Sequence, residues 1–235
     1  MYWMDLSGGD PTFYRDLFGW QPTDTGVFTV DGQVVAGLGT AGAAGWRLHA
    51  VVDDVPAACR TAESLGGTVR AEPTTSAAGT VATLADPAGA AFVVRAGGQR
   101  AELVHKPGVF SWAELCTPDP AAAKAFYPAL FGWSMVDISM SMPAGDVGYT
   151  VFMSGTEEAG GLLPAEGAFG PAQPPYWLAY IEATDAKAVA AQVASLGGEV
   201  LVEPFDVPRI GRIALLAGRS GETFAVMEMP TEEGA

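Results

Sequence analysis

Phe13-Tyr14-Arg15-Asp16-Leu17-Phe18-Gly19-Trp20 and Phe126-Tyr127-Pro128-Ala129-Leu130-Phe131-Gly132-Trp133 are one octet written twice, with Phe-Tyr, Leu and Phe-Gly-Trp in the same places. Self-similarity of this kind marks a duplicated structural unit. Working outward, further matches follow in the same order: Trp3 with Trp112, Asp10-Pro11 with Asp119-Pro120, and Trp46 with Trp177. Ser64-Leu65-Gly66-Gly67 then answers Ser195-Leu196-Gly197-Gly198, and Glu72-Pro73 answers Glu203-Pro204. The halves are therefore homologous throughout. Gly97-Gly98 and Pro107-Gly108 bracket a polar stretch with turn chemistry. The expected domains are 1–97 and 108–230, joined by a linker over 98–107.

Local signals give each half an alternating order of strands and helices. In the second half Trp112 to Leu115 alternates as a strand, and Asp119-Pro120 supplies an N-cap and first-turn proline for a helix that Gly132 stops. Strands are expected over Tyr149 to Met153, Gly160 to Leu163 and Trp177 to Glu182, and a second helix over Asp185 to Leu196. Val200 to Val202, Arg212 to Leu216 and Thr223 to Met227 complete the set. Between Pro11 and Phe13 there is one residue, whereas Ala121 to Ala125 separate Pro120 from Phe126. The first helix should thus be about one turn shorter, with looser packing expected at that edge.

Composition narrows the partners. The chain has 235 residues, 49% of them hydrophobic, enough for real cores. Its 12 Lys+Arg against 27 Asp+Glu give a formal charge of −15, which repels phosphate backbones and anionic lipid surfaces. No nucleic acid and no membrane partner is expected, and a small molecule is. No apolar run reaches the roughly 20 residues of a membrane helix. Met1-Tyr2-Trp3-Met4-Asp5 lacks the basic start and apolar stretch of a signal peptide, so a cytoplasmic location is expected. Cys59 and Cys116 suggest buried thiols rather than a disulfide framework. Nucleotide-binding glycine loops, C-x-x-C and serine-hydrolase elbows are absent from the sequence.

Strand-helix-three-strand modules ending their helices on Phe-Tyr-x-x-x-Phe-Gly-Trp resemble the vicinal oxygen chelate superfamily, the glyoxalase/bleomycin-resistance/dioxygenase group. Trp112-Ala113-Glu114-Leu115 with Asp119-Pro120, Phe126-Tyr127, Glu203-Pro204 and Gly211-Arg212 is similar to its actinobacterial two-domain, "hydroxylase"-type members. The resemblance covers the chain and implies an α+β fold of tandem domains, each made of two βαβββ modules curled into a cup. It also implies a divalent metal held by His and Glu on the cup floor. Carried over residue by residue, the first-strand ligand falls on Trp3 and Trp112, and the fifth-strand position on Trp46 and Trp177. The eighth-strand Glu falls on Val93 and Ala225, and the fourth-strand acid near Ala36-Gly37 and Gly160-Gly161. A two-residue shift would bring in Asp5, Glu114, His49 and Glu228, without a ligand set that repeats in both halves. No metal and no other cofactor is expected on this reading. Because one chain already supplies two domains, a monomer is favoured.

The residues that could carry chemistry admit alternatives. Asp5 and Glu114 share a repeat position beside Trp3 and Trp112, so each is a candidate acid/base in an aromatic-walled cup, or an acid satisfied by backbone amides, Arg212 or a tyrosine. His49 is a candidate general base or a hydrogen-bonded structural histidine. Trp3, Trp46, Trp112 and Trp177 form either a ligand-stacking surface or module packing. Arg212 or Arg209 either orients a ligand oxygen or pairs with a surface acid. Ile138 to Gly145 and Pro164 to Pro175, longer than their first-half counterparts, read as lids or as ordinary loops. Three functions stay open: a metal-independent protein binding a hydrophobic or aromatic metabolite, a lyase, isomerase or cyclase using Glu114, Asp5 or His49, and a structural or regulatory protein with filled cups.

Overall fold

The structure, a computed structural model, describes residues 2–39, 45–76, 79–98, 101–142, 145–165 and 174–230. The first half runs β1 (Tyr2–Ser7), α1 (Pro11–Phe18), β2 (Gln21–Pro22), β3 (Val27–Val30) and β4 (Gln33–Gly39), and then repeats that order. Its second module is β5 (Gly45–Val51), α2 (Val55–Ser64), β6 (Thr68–Ser76), β7 (Gly79–Ala85) and β8 (Ala91–Ala96). The second half repeats both modules. Its first is β9 (Phe110–Thr117), α3 (Pro120–Phe131), β10 (Ser134–Met142), β11 (Gly145–Ser154) and β12 (Glu157–Pro164). Its second is β13 (Tyr176–Ala183), α4 (Ala186–Ser195), β14 (Glu199–Val207), β15 (Gly211–Ala217) and β16 (Thr223–Glu228).

Each half forms one eight-stranded sheet, ordered β2-β3-β4-β1-β5-β8-β7-β6 and β10-β11-β12-β9-β13-β16-β15-β14. Two four-stranded modules meet at an antiparallel junction, β1 on β5 and β9 on β13. The fold is α+β, with two βαβββ modules in each domain. No helix among the described residues is long and apolar enough to cross a membrane.

The helix starts follow from the Asp-Pro pairs. Asp10 accepts from the Thr12 amide at 2.8 Å and Asp119 from the Ala122 amide at 3.0 Å, while Gly19 and Gly132 end their helices at φ 76° and 70°. α1 has 8 residues and α3 has 12, the difference of one turn expected. The shortened edge is not loose, however. Phe13 and Tyr14 are fully buried, because α1 lies against the other domain, where Phe13 meets Phe224 edge to face.

One hydrophobic core spans the helix-covered faces of both sheets, and the octets sit at its centre. Tyr14 receives the indole N–H of Trp46, and Tyr127 that of Trp177, each at 3.1 Å. The rings cross at 89° in both places. Tyr127 in turn donates to Asp86 of the first domain at 3.1 Å, and Asp86 also accepts from the Gly89 and Ala90 amides. The reciprocal acid is Glu222 of the second domain, which faces Tyr14. The repeated Phe-Tyr is thus the interdomain bolt. Tyr127→Phe leaves the Trp177 indole N–H and Asp86 Oδ2 each without the partner they have here, and should cost about 2 kcal/mol in urea unfolding.

The stretch read as a lid over Ile138 to Gly145 is instead part of a long edge hairpin, β10 on β11. Its Ser-Met-Ser-Met alternation has the period of a strand, so extended pairing satisfies its backbone. Residues 143–144 and 166–173 of the two proposed lids lie outside the described residues. In the linker, Glu102 binds β4 with both its amide, on the Val34 carbonyl at 2.7 Å, and its carboxylate, on the Val34 amide at 2.9 Å.

Candidate functional site

Side chains alternate between the two faces of a strand, so register decides what each cup contains. Trp3 pairs with His49 and Asp5 with Arg47 across β1 and β5. Val93 pairs with His49, and Arg95 stands two residues further along β8. In the second domain Trp112 pairs with Tyr180 and Glu114 with Leu178, while Ala225 pairs with Tyr180 and Met227 follows it. These residues share the faces turned away from the helices. Trp46 and Trp177 pair with Leu6 and Leu115, one position out of phase. They therefore point into the helix-side core and do not line a cup. The fifth-strand positions in the cups are His49 and Tyr180, three residues beyond the tryptophans.

The second cup encloses a cavity of about 280 Å³. Trp112, Ile138, Met140, Met142, Ile213 and Met227 give it apolar walls, and Glu114 is its buried carboxyl. Tyr180 donates to Glu114 Oε1 at 2.9 Å, and the Cys116 thiol lies 3.9 Å from the same oxygen. Tyr149 accepts the indole N–H of Trp112 at 2.8 Å and turns its own hydroxyl to Glu114. Burial pushes the carboxyl from 4.5 up to about 7, against the hydrogen bonds of Tyr180, Tyr149 and Cys116, which lower it. Glu114 is thus partly protonated near neutrality, able to give a proton or to take one. Gly161 is what makes the arrangement possible, since a Cβ there would overlap the Tyr149 hydroxyl.

The first cup is built differently. Arg47 grips Asp5 with two hydrogen bonds, Nε to Oδ1 at 3.0 Å and Nη2 to Oδ2 at 3.1 Å. His49 Nε2 contacts Asp5 Oδ2 at 3.0 Å, and Nδ1 has no hydrogen-bond partner among the described residues. Burial pushes Asp5 up, and the contacts of His49 and Arg47 more than offset this, leaving it below the usual carboxylate range. Arg95 lies over the Trp3 ring at 5.3 Å.

Arg212 is not part of either cup floor. It forms a two-pronged pair with Asp206, at 2.9 and 3.3 Å, and it is Arg209 that reaches the cavity rim. Glu228 accepts from the Ala186 amide at the start of α4, at 2.9 Å, and is likewise outside the cup. Tyr149, Tyr180, Met227, Arg47 and Arg95 were missed as site residues. The signal for Tyr180 is its odd spacing from Trp177, which puts it on the opposite face.

A divalent metal needs several converging donors. Among the described residues no group of three or more His, Cys, Asp and Glu is placed to hold one. Glu114 has aromatic and apolar neighbours on the adjoining strands, and Asp5 and His49 are accompanied by two guanidinium groups. Neither donor set fits a resident divalent cation.

Known proteins place the chain. Residues 109–226 match the Glyoxalase/Bleomycin resistance protein/Dioxygenase superfamily, and residues 9–95 match the Glyoxalase-like domain. The chain is 33% identical to the putative glyoxylase CFP32 of Mycobacterium tuberculosis, over 96% of this chain and 93% of that protein. It is 35% identical to the anthracycline biosynthesis protein DnrV of Streptomyces peucetius, over 55% of this chain and 50% of that one. The fold is similar to that of the Mn(II)-bound glyoxalase from Novosphingobium aromaticivorans, with a TM-score of 0.60 at 18% identity, covering 97% of this chain and 81% of that one. From its paired βαβββ modules and these relatives, the chain belongs to the glyoxalase/bleomycin resistance protein/dioxygenase superfamily, as a tandem two-domain member.

Proposed function

We propose that the second cup binds a small hydrophobic or aromatic metabolite without a metal, with protonated Glu114 hydrogen bonding one of its oxygens. The observation that carries this reading is the single buried carboxyl, bonded by tyrosines, in a mainly apolar cavity of about 280 Å³ with Glu158 and Arg209 at its lining. That volume is close to the lower end of ordinary ligand pockets, roughly 300–1,000 Å³, and suits one or two fused rings. The methionines give walls that adapt to ligand shape. Similarity to a protein named for anthracycline biosynthesis is in keeping with a small-molecule ligand. The acidity of Glu114 favours a second reading, in which the same carboxyl is the acid/base of a lyase, isomerase or cyclase acting on an oxygenated metabolite.

A panel of one- and two-ring phenols and aryl ketones, followed by tryptophan fluorescence and thermal melting, tests binding. At about 100-fold excess over Kd, a ligand should contribute about 2.7 kcal/mol and raise Tm by roughly 5–10 °C. EDTA should leave the effect intact. In Trp112→Phe much of the quench should disappear while thermal stabilisation persists. Absence of both signals across the panel, or their loss in EDTA, overturns the proposal. Turnover that vanishes in Glu114→Gln would establish the second reading.

A further inference from the structure

The two cups share a scaffold but differ in charge at matched positions. Where the second domain has Leu178, Tyr180 and Met227, the first has Arg47, His49 and Arg95, according to the strand registers. The acid, Asp5 or Glu114, and the tryptophan, Trp3 or Trp112, stand in both. Asp5 is already gripped by Arg47. Arg95, 7% exposed, spends its Nε on the Gly97 carbonyl at 3.0 Å and has no ion-pair partner among the described residues. His49, 9% exposed, touches Asp5 through Nε2 and has no hydrogen-bond partner at Nδ1 among the described residues.

Arg95 feels only the charge of Asp5, which Arg47 and His49 already contact; a buried guanidinium that must share its one counter-charge is costly, and so is a buried ring nitrogen without a partner. Two guanidiniums against one carboxylate leave this face with surplus positive charge, even with His49 neutral, in a chain whose formal charge is −15. Trp3 lies flat beneath Arg95, an apolar surface next to the cation. Solvent reaches the cluster along Arg47, whose side chain is 32% exposed.

We propose that the first cup is a binding site for a small organic carboxylate, with its anionic group between Arg95 and His49 and its apolar body against Trp3. Guanidinium matches a carboxylate with paired N–H donors, and a protonated or suitably tautomeric imidazole supplies another. The chain then carries two cups of different selectivity, one for an anion and one for a neutral apolar molecule.

Benzoate and its neutral isostere benzamide are the probes, titrated into the full chain by calorimetry and amide-resolved NMR. Benzoate should bind at least tenfold tighter than benzamide and shift the amides of residues 45–51 and 91–96. Arg95→Met, which installs the residue type of the second cup, should weaken benzoate at least tenfold and leave benzamide unchanged. The wild-type comparison decides the matter if that variant does not fold, and His49→Phe should weaken benzoate as well. Equal affinity for the two probes, unchanged benzoate binding in a folded Arg95→Met variant, or shifts confined to residues 108–230 would overturn the proposal. Because the readout lies in the first domain, it stands or falls independently of ligand binding at Glu114.

Discussion

Gly218→Asp alone is expected to destabilise the protein by about 3–5 kcal/mol, the scale of a buried unpaired charge, and Gly218→Asp combined with Glu222→Ala to recover most of that loss. The expectation comes from two loops that satisfy one need in different ways. Leu84-Ala85-Asp86-Pro87-Ala88-Gly89-Ala90 and Leu216-Ala217-Gly218-Arg219-Ser220-Gly221-Glu222 are matched by the repeat. In the first loop the acid that meets the opposite domain's tyrosine is at the opening position, Asp86. In the second it is at the closing position, Glu222, which is buried. A Cβ at Gly218 would overlap the Glu222 carboxylate, so Glu222 already fills the space that an Asp86-like side chain would need.

Placing Asp at 218 beside Glu222 puts two carboxylates in one buried site. Removing Glu222 frees the space and recreates the Asp86/Ala90 pattern of the first domain. Glu222→Ala alone takes away the acid that the Tyr14 hydroxyl faces and should cost about 1–2 kcal/mol. Urea unfolding of the four proteins gives the coupling, expected to exceed about 2 kcal/mol. Simple additivity would show that the two positions do not share the site.

Glu114→Gln is expected to stabilise the protein at pH 8 by about 2 kcal/mol, or roughly 4–8 °C in Tm, and to give no gain at pH 4. Burial raises this carboxyl from 4.5 to about 7. The unfolded chain therefore releases the proton first, and ionisation favours unfolding as pH rises from 4.5 to 7. Above 7 the whole penalty is present, on the order of 3 kcal/mol; below 4.5 it vanishes. Glutamine cannot ionise, and part of its advantage is lost because its amide presents donors to tyrosine hydroxyls that already donate. Urea melts at the two pH values check this. A gain of equal size at both would remove Glu114 as the titrating group. A neutral ligand that accepts from protonated Glu114 should also bind progressively more weakly above pH 7.

Much of the architecture was legible because it rests on local rules. Asp-Pro before a helix, Gly after it and a repeated octet are read over a few residues, and the structure has the helices, their unequal lengths and the duplicated order of strands. The β10–β11 hairpin was legible too, in its alternating Ser and Met, but its apolar loop-like composition read as a lid. The four repeated tryptophans show where local reading stops. Trp3 and Trp112 face the cups, and Trp46 and Trp177 bolt the helices to the sheet, yet nothing in their identity separates the pairs. An odd or even offset against the neighbouring strand decides it.

By itself the sequence determined the duplication, the module order, the helix ends and the pairing of Asp5 with Glu114, since each depends on nearby residues or on comparing one half with the other. Only the tertiary structure decided what the cups contain. Strand register turned His49, Arg95, Tyr180 and Met227 inward, and burial pushed Glu114 up to about 7. Packing across the domains brought Tyr127 to Asp86 and Tyr14 to Glu222. The physical reason is that face, dielectric environment and cross-domain partner are set by residues distant along the chain, so one scaffold could acquire a charged cup and an apolar one.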